Sequence, residues 1–121
     1  MNRTFYRQIV VFENHFKEFR KKLDRETLKK VYQVLTLIMA TEVIPKKFLK
    51  HIVGIPGLYE IRGAANRNLF RIFCCLDEGK IIILFNGFQK KTRKTPVKEI
   101  EVAEKLMKKY FETKEQNENG E

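Results

Sequence analysis

Three apolar runs separated by short turn-forming links occupy the second half of the chain: Leu58 to Arg62, Leu69 to Leu76 and Ile81 to Phe88. Each has the length and the Ile, Leu and Phe content of a strand. Gly63-Ala64-Ala65-Asn66 joins the first pair, and Asp77-Glu78-Gly79 makes a tight hairpin between the second and third. Such links are too short for a crossover, so the three strands are expected to form an antiparallel meander. Both alternating sets of residues in these strands are apolar, so the face turned away from any helices is expected to be only partly solvated.

The rest of the chain reads as helices. Residues 8–12 form a short strand-like run, after which the period changes. Phe16, Phe19 and Leu23 recur at three- and four-residue spacing with Lys17, Lys21 and Lys22 between them, the pattern of a short amphipathic helix with Asn14 as its N-cap. Asp24 can cap a longer helix with Leu28, Val31, Leu35, Ile38 and Met39 on one stripe, ended by Pro45. Together these two make a helical hairpin. Residues 46–57 read as irregular or as one helical turn, with a turn at Ile55-Pro56-Gly57. A last helix is expected from Pro96 to Phe111, with Ile100, Ala103, Leu106, Met107 and Tyr110 on one stripe and Thr95 as its N-cap. The order β-α-α-β-β-β-α predicts an α+β fold: an antiparallel sheet with the N-terminal helical hairpin and the C-terminal helix packed on one face. Residues 1–111 form a single domain in this reading, and 112–121 form a polar, acidic, disordered tail.

The formal net charge is +10, and because the stretch from Glu112 holds four Glu against Lys114, residues 1–111 carry +13. That excess points to a polyanion, with nucleic acid ahead of an acidic protein or an anionic membrane surface. No signal peptide and no apolar run of membrane-spanning length is visible. Cys74 and Cys75 are adjacent, so as strand neighbours they point to opposite faces and suit a reduced, cytoplasmic protein better than a disulfide. His15 and His51 have no ligand-spaced companions, so no metal site and no cofactor are expected. Walker, dinucleotide and nucleophile-elbow patterns are all lacking.

The chemistry-bearing residues are cations. Arg71 interrupts the apolar run Leu69 to Leu76 and must meet an anion, either a carboxylate such as Glu60 or a phosphate, because it cannot shed its charge. In a meander, Arg62, Arg67 and Arg71 can converge at one end of the sheet. The third strand delivers Lys90 and Lys91 just past its own end, followed by Arg93 and Lys94 with no carboxylate among them. RNA cleavage suits such a set, because the substrate brings its own nucleophile, the ribose 2′-OH. The protein need only orient it, stabilise charge on phosphorus and help protons move. A lysine among cations has its pKa pushed down, so Lys90 or Lys91 can serve as base. Tyr59 and Phe88 offer rings for base stacking; core packing is the plainer role for both.

The stretch from Gly57 to Ala103 resembles the RelE/HigB superfamily of type II toxins, in its phage-derived HigB-like branch. The resemblance rests on Gly57-Leu58-Tyr59-Glu60-Ile61-Arg62, on Phe70-Arg71, and on Asn86-Gly87-Phe88-Gln89-Lys90-Lys91-Thr92-Arg93-Lys94-Thr95-Pro96. It implies a RelE-like fold and a metal-independent mRNA interferase that enters the ribosomal A site and cuts the codon there. It also implies a cognate helix-turn-helix antitoxin, and a toxin that is monomeric when free and oligomeric through its antitoxin. Arg71 would correspond to the family's phosphate-stabilising arginine, Lys90 and Lys91 to its basic residues after the last strand, and Arg62 to the end of its E-[LI]-R motif. Arg67 would join as a weaker match, with Arg93 and Lys94 as RNA contacts. The start of the last helix, Thr95-Pro96-Val97-Lys98-Glu99, lacks the tyrosine or histidine that many members place there as acid or base. The same fold serves toxins that poison DNA gyrase without cutting RNA, so a non-nuclease toxin or a non-catalytic nucleic-acid-binding module is the competing expectation.

Overall fold

The computed structural model describes residues 5–90 and 94–119, the last of these by its backbone only. The elements are β1 (Gln8–Val11), α1 (His15–Lys21), α2 (Arg25–Ala40), β2 (Leu49–His51), β3 (Leu58–Ala65), β4 (Asn68–Asp77), β5 (Ile81–Lys90) and α3 (Val97–Asn119). They build an α+β fold around one five-stranded sheet in the order β1-β5-β4-β3-β2. The meander β3-β4-β5 is antiparallel, as the short links require. Its hairpins are tighter than the sequence indicated. The β3–β4 tip is only Asn66-Arg67, and the β4–β5 turn uses Glu78 and Gly79 with φ of 55° and 73°.

Two features of the sheet correct the expectation. β1 lies parallel to β5, with Gln8 opposite Ile81 and Val11 opposite Leu84, so the sheet is mixed. A parallel partner needs a long connection, and here α1, α2 and three strands supply it. β2 comes from the stretch expected to be irregular, pairing Leu49 with Ile61, Lys50 with Glu60 and His51 with Tyr59. It is held through its backbone, and its three residues carry no hydrophobic alternation to announce it.

The helices do not share one face. Phe16 and Phe19 of α1 and Val31, Val34, Leu35 and Ile38 of α2 are buried against Ile61, Phe70, Ile72, Cys74, Ile82 and Leu84. Ala103 and Leu106 of α3 are buried on the opposite face, against Leu58, Phe73, Cys75, Ile83 and Phe85. Strands apolar on both faces demand cover on both, so the sheet becomes the middle of three layers. Within the first layer α1 lies over β5 and α2 over β3, each packing chiefly on the sheet. Asp24 caps α2 as expected, accepting from the Thr27 N–H at 2.7 Å, whereas Asn14 makes no side-chain cap on α1.

A bulge in β5 shapes the face that carries the candidate site. Ile72 pairs with Gly87 but Cys74 pairs with Leu84, so Phe85 and Asn86 both stand opposite Phe73. The extra residue reverses the alternation and turns Asn86 towards α3, where its Nδ2 donates to the Glu99 carbonyl at 3.1 Å. Gly87 then faces α1 so closely that a Cβ there would come within 2.7 Å of the Phe19 ring.

α3 runs eight residues beyond Phe111, so the stretch expected as a disordered tail is helical to Asn119. Lys114 lies one turn after Tyr110, and both reach the buried Asp77 at the end of β4: Lys114 Nζ at 2.8 and 2.9 Å, the Tyr110 hydroxyl at 2.5 Å. The Lys114 and Tyr110 hydrogen bonds hold the Asp77 carboxyl below the usual carboxylate range, and burial followed by the Asp77 contact pushes Tyr110 up to about 12. Asp77→Ala is expected to cost roughly 1.5–3 kcal/mol and to fray α3 beyond Phe111, seen as lost helical circular dichroism. Since the folded-state pKa is depressed, this contribution is present above the ordinary aspartate pKa and disappears as the pH falls through the lowered value. A wild-type melting curve that stays flat over that acid range, with Asp77→Ala indistinguishable from it, would contradict this.

Candidate anion site

On the α3 face, alternation along β3 places Glu60 and Arg62 side by side, two residues apart. The register sets Arg71 directly across from Arg62, and Phe88 across from Arg71. Lys90, opposite Leu69, is the last residue of β5 and not part of a following loop as the sequence suggested. Lys50 of β2 stands opposite Glu60. Four cations from four strands thus converge near the Asn66-Arg67 end of the sheet.

One carboxylate sits among them. Glu60 Oε1 is 3.5 Å from Arg62 Nε and 3.7 Å from Arg71 Nε, and Oε2 accepts from the Thr95 hydroxyl at 3.1 Å. Lys90 Nζ donates to the same hydroxyl at 3.4 Å. Thr95 was expected to cap α3; instead its hydroxyl joins Glu60 to Lys90, and α3 begins at Val97. Glu60, Arg71 and Lys90 are 4%, 4% and 8% exposed, so the centre of the cluster is interior, while Arg62 is half-buried and Lys50 is exposed.

The cluster is short of negative charge. Arg71 Nη1 donates to the Phe70 carbonyl at 2.8 Å, but Nε of Arg71 and Nε of Arg62 are buried without a hydrogen-bond partner. Glu60 is therefore an ion-pair partner to both arginines and saturates neither. Burial lowers the Arg71 pKa, the neighbouring Arg62 lowers it further, and Glu60 only partly opposes them. Lys90 is lowered as the sequence reading expected. Burial is the first cause; Arg71, Arg62 and Lys50 add to it, and Glu60 again opposes. A shallow cleft of about 410 Å³ opens beside the cluster, lined by Lys30, Lys47, Arg62 and Arg71 with Phe48 and Leu69, and by no carboxylate.

The other expected site residues are placed as follows. Lys91 and Arg93 lie outside the described residues. Lys94 is exposed next to Thr95. Arg67 is exposed at the hairpin tip, four residues before Arg71 and about 13 Å along an extended chain. Tyr59 lies on the α2 face, its ring edge-on to His51 at 5.2 Å, and does not meet the cluster. Phe88 stacks on Phe73 at 5.8 Å and is half-buried beside Arg71. Thr95 and Lys50 were not seen as site residues from sequence, and Glu60 only as a possible ion-pair partner. The two-residue spacing of Glu60 and Arg62 on one strand was the available signal for Glu60; Thr95 stood out only as a cap and as part of the Asn86–Pro96 stretch, and nothing local marked Lys50.

Cys74 and Cys75 are free and buried on opposite faces, and burial pushes the Cys75 thiol up to about 12. Among the described residues no His, Cys, Asp and Glu group is placed to hold a metal, and no helix is long and apolar enough to cross a membrane.

Fold and site together define a small basic α+β protein with a partly neutralised cluster of cations at one end of its sheet. The chain belongs to the family of phage-derived Gp49-like proteins, whose model matches residues 17–108 and so takes in most of α1, all of α2 and the cluster. No curated protein matches the chain closely enough to count as a relative.

Proposed function

We propose that this protein is the toxin of a type II toxin–antitoxin pair, acting in the cytoplasm as a metal-independent endoribonuclease on mRNA in the ribosomal A site. The observation that carries this reading is the set Arg62, Arg71 and Lys90 gathered around the carboxylate of Glu60, which ion-pairs with both arginine Nε atoms but leaves both without a hydrogen-bond partner. Such a set fits a singly charged phosphodiester. Membership of a phage-derived family of toxin–antitoxin context supports it, and so does the resemblance of Gly57–Arg62 and Asn86–Pro96 to RelE/HigB toxins. The partner that restrains it is a helix-turn-helix antitoxin.

In the proposed reaction the ribose 2′ oxygen attacks the adjacent phosphorus while the P–O5′ bond breaks in line. Neutral Lys90 takes the 2′-OH proton, and the 5′ oxygen leaves with a proton from solvent. The products are a 2′,3′-cyclic phosphate and a 5′-hydroxyl. Arg71 and Arg62 hold the non-bridging oxygens, whose charge rises in the transition state. Thr95, bonded to both Glu60 and Lys90, keeps the lysine aimed.

Inducing the chain alone in bacteria is expected to stop growth and to create new mRNA 5′ ends in register with codons. Growth arrest with intact mRNA and broken DNA would replace this reading with gyrase poisoning. Lys90→Arg keeps the charge but removes the base, so cleavage is expected to fall by about 10²-fold or more. Because the Lys90 pKa is lowered, the wild-type rate should rise with pH and level off below the ordinary lysine value, and Lys90→Arg should lose that rise. An unchanged profile in the variant would assign the base elsewhere.

A further inference from the structure

β1 covers β5 only from Ile81 to Leu84. Beyond it the edge of β5 is open between α1 and α3, and a cleft of about 570 Å³ lies there, within the range of small-ligand sites. His15 and Glu18 of α1, Lys22 just after it, Asn86 and Phe88 of β5, and Glu99 of α3 are among the residues that line it. Six buried side-chain atoms among the described residues lack a hydrogen-bond partner. Two are the Arg62 and Arg71 Nε atoms of the anion site, and three belong to this one cleft: His15 Nδ1, Asn86 Oδ1 and Glu99 Oε2. Native proteins leave few such atoms unpaired, so three around one cleft, from α1, β5 and α3, single it out as a place where a bound molecule can supply partners.

The chemistry of the wall is specific. The Glu99 carbonyl can only accept, so the Asn86 amide must present Nδ2 to it, which leaves Oδ1 buried without a partner. Asn86 is 5% exposed and its orientation is set by the bulge. Asn86 Oδ1 and the Glu99 carboxylate are both acceptors, and Glu18 stands at the rim. Lys22, just past the end of α1, also lines the cleft, so the acceptors of Asn86 and Glu99 have one lysine on the α1 side. The complement is a group with adjacent N–H donors. On a nucleic acid that is the Watson–Crick edge of guanine, whose N1–H and N2–H match the two oxygens of a carboxylate. Its second N2 hydrogen suits Asn86 Oδ1, and its O6 can accept from a His15 imidazole carrying the proton on Nδ1. Adenine would set its N1 lone pair against Glu99. Phe88 is two residues from Lys90, about 7 Å along β5, the scale of one nucleotide step.

We propose that this cleft is a base-recognition subsite, which seats a guanine beside the scissile phosphate and reads it through Glu99 and Asn86. The inference rests on the reading of the protein as an RNA-cleaving enzyme, and its test separates the two. Non-cleavable 2′-O-methyl hexa-adenylates carrying one guanine, moved through each position, are titrated against the purified protein by fluorescence anisotropy. A guanine at one position is expected to tighten binding on the order of tenfold, with inosine, which lacks the N2 amine, falling between guanine and adenine. Glu99→Gln should level guanine and adenine while leaving the salt dependence unchanged. Arg71→Ala should weaken all sequences alike and keep the preference. Should Glu99→Gln fail to fold, the wild-type comparison of guanine with inosine decides. Equal binding of all sequences, as expected if the cleft holds only water or an arginine from a partner protein, overturns the subsite. If that equal binding is Arg71-dependent, the nuclease reading stands. Absence of binding by every oligonucleotide overturns the subsite, and the mapped mRNA 5′ ends decide the nuclease reading separately.

Discussion

Arg71→Ala is expected to abolish growth arrest and to lower RNA cleavage by about 10²–10³-fold, the effect of deleting one preorganised donor to a developing oxyanion. The protein should stay folded. Arg71 is a buried cation whose charge is disfavoured by burial and by Arg62, with Glu60 opposing them. Removing it relieves repulsion as well as an ion pair, so the stability change is expected near the ordinary value for a single substitution, about 1 kcal/mol. The measurements are the mapped mRNA 5′ ends after induction and a thermal melt of the purified variant. A stable Arg71→Ala protein that still cleaves at the wild-type rate would remove this residue, and the site built around it, from the mechanism.

Glu60→Gln should give the larger loss of stability. The substitution preserves shape but leaves Arg62, Arg71 and Lys90 in an interior site without their carboxylate. Breaking a buried ion pair from one side costs about 3–5 kcal/mol, because the remaining charge is stranded. For a chain of this size that corresponds to a fall in melting temperature of roughly 10–20 °C. Added sulfate or phosphate should restore much of it by binding the folded state, and should stabilise the wild type less. Glu60 also raises the Lys90 pKa against its neighbours, so any residual activity of Glu60→Gln should reach its plateau at lower pH. A variant as stable as the wild type and indifferent to anions would show that the cluster holds no excess positive charge.

The reading from sequence went furthest where the signal is local. The three meander strands, the Asp24 cap, the core stripes of α2 and α3 and the basic character of the segment after β5 all follow from periods of two or about 3.6 and from short capping contacts. Arg71 was marked because a charged residue in an apolar strand is anomalous wherever the strand ends up. The errors were non-local. The expectation of helices on one face overlooked that strands apolar on both sides need two covers. β2 was missed because a three-residue edge strand is stabilised by its neighbour's backbone. Residues 112–119 were read as tail because Asp77, which holds Lys114, lies thirty-seven positions away.

What the amino-acid order by itself determined is which residues alternate, which turn, and where positive charge accumulates, since each depends on neighbours a few positions apart. Which cations share a pocket was decided only by the tertiary structure. Cross-strand register set Arg62 against Arg71, a single bulge turned Asn86 to the α3 side, and the return of the chain at Thr95 brought its hydroxyl between Lys90 and Glu60. Register and bulges are settled by packing both faces of the whole sheet at once, and no window along the chain contains that information.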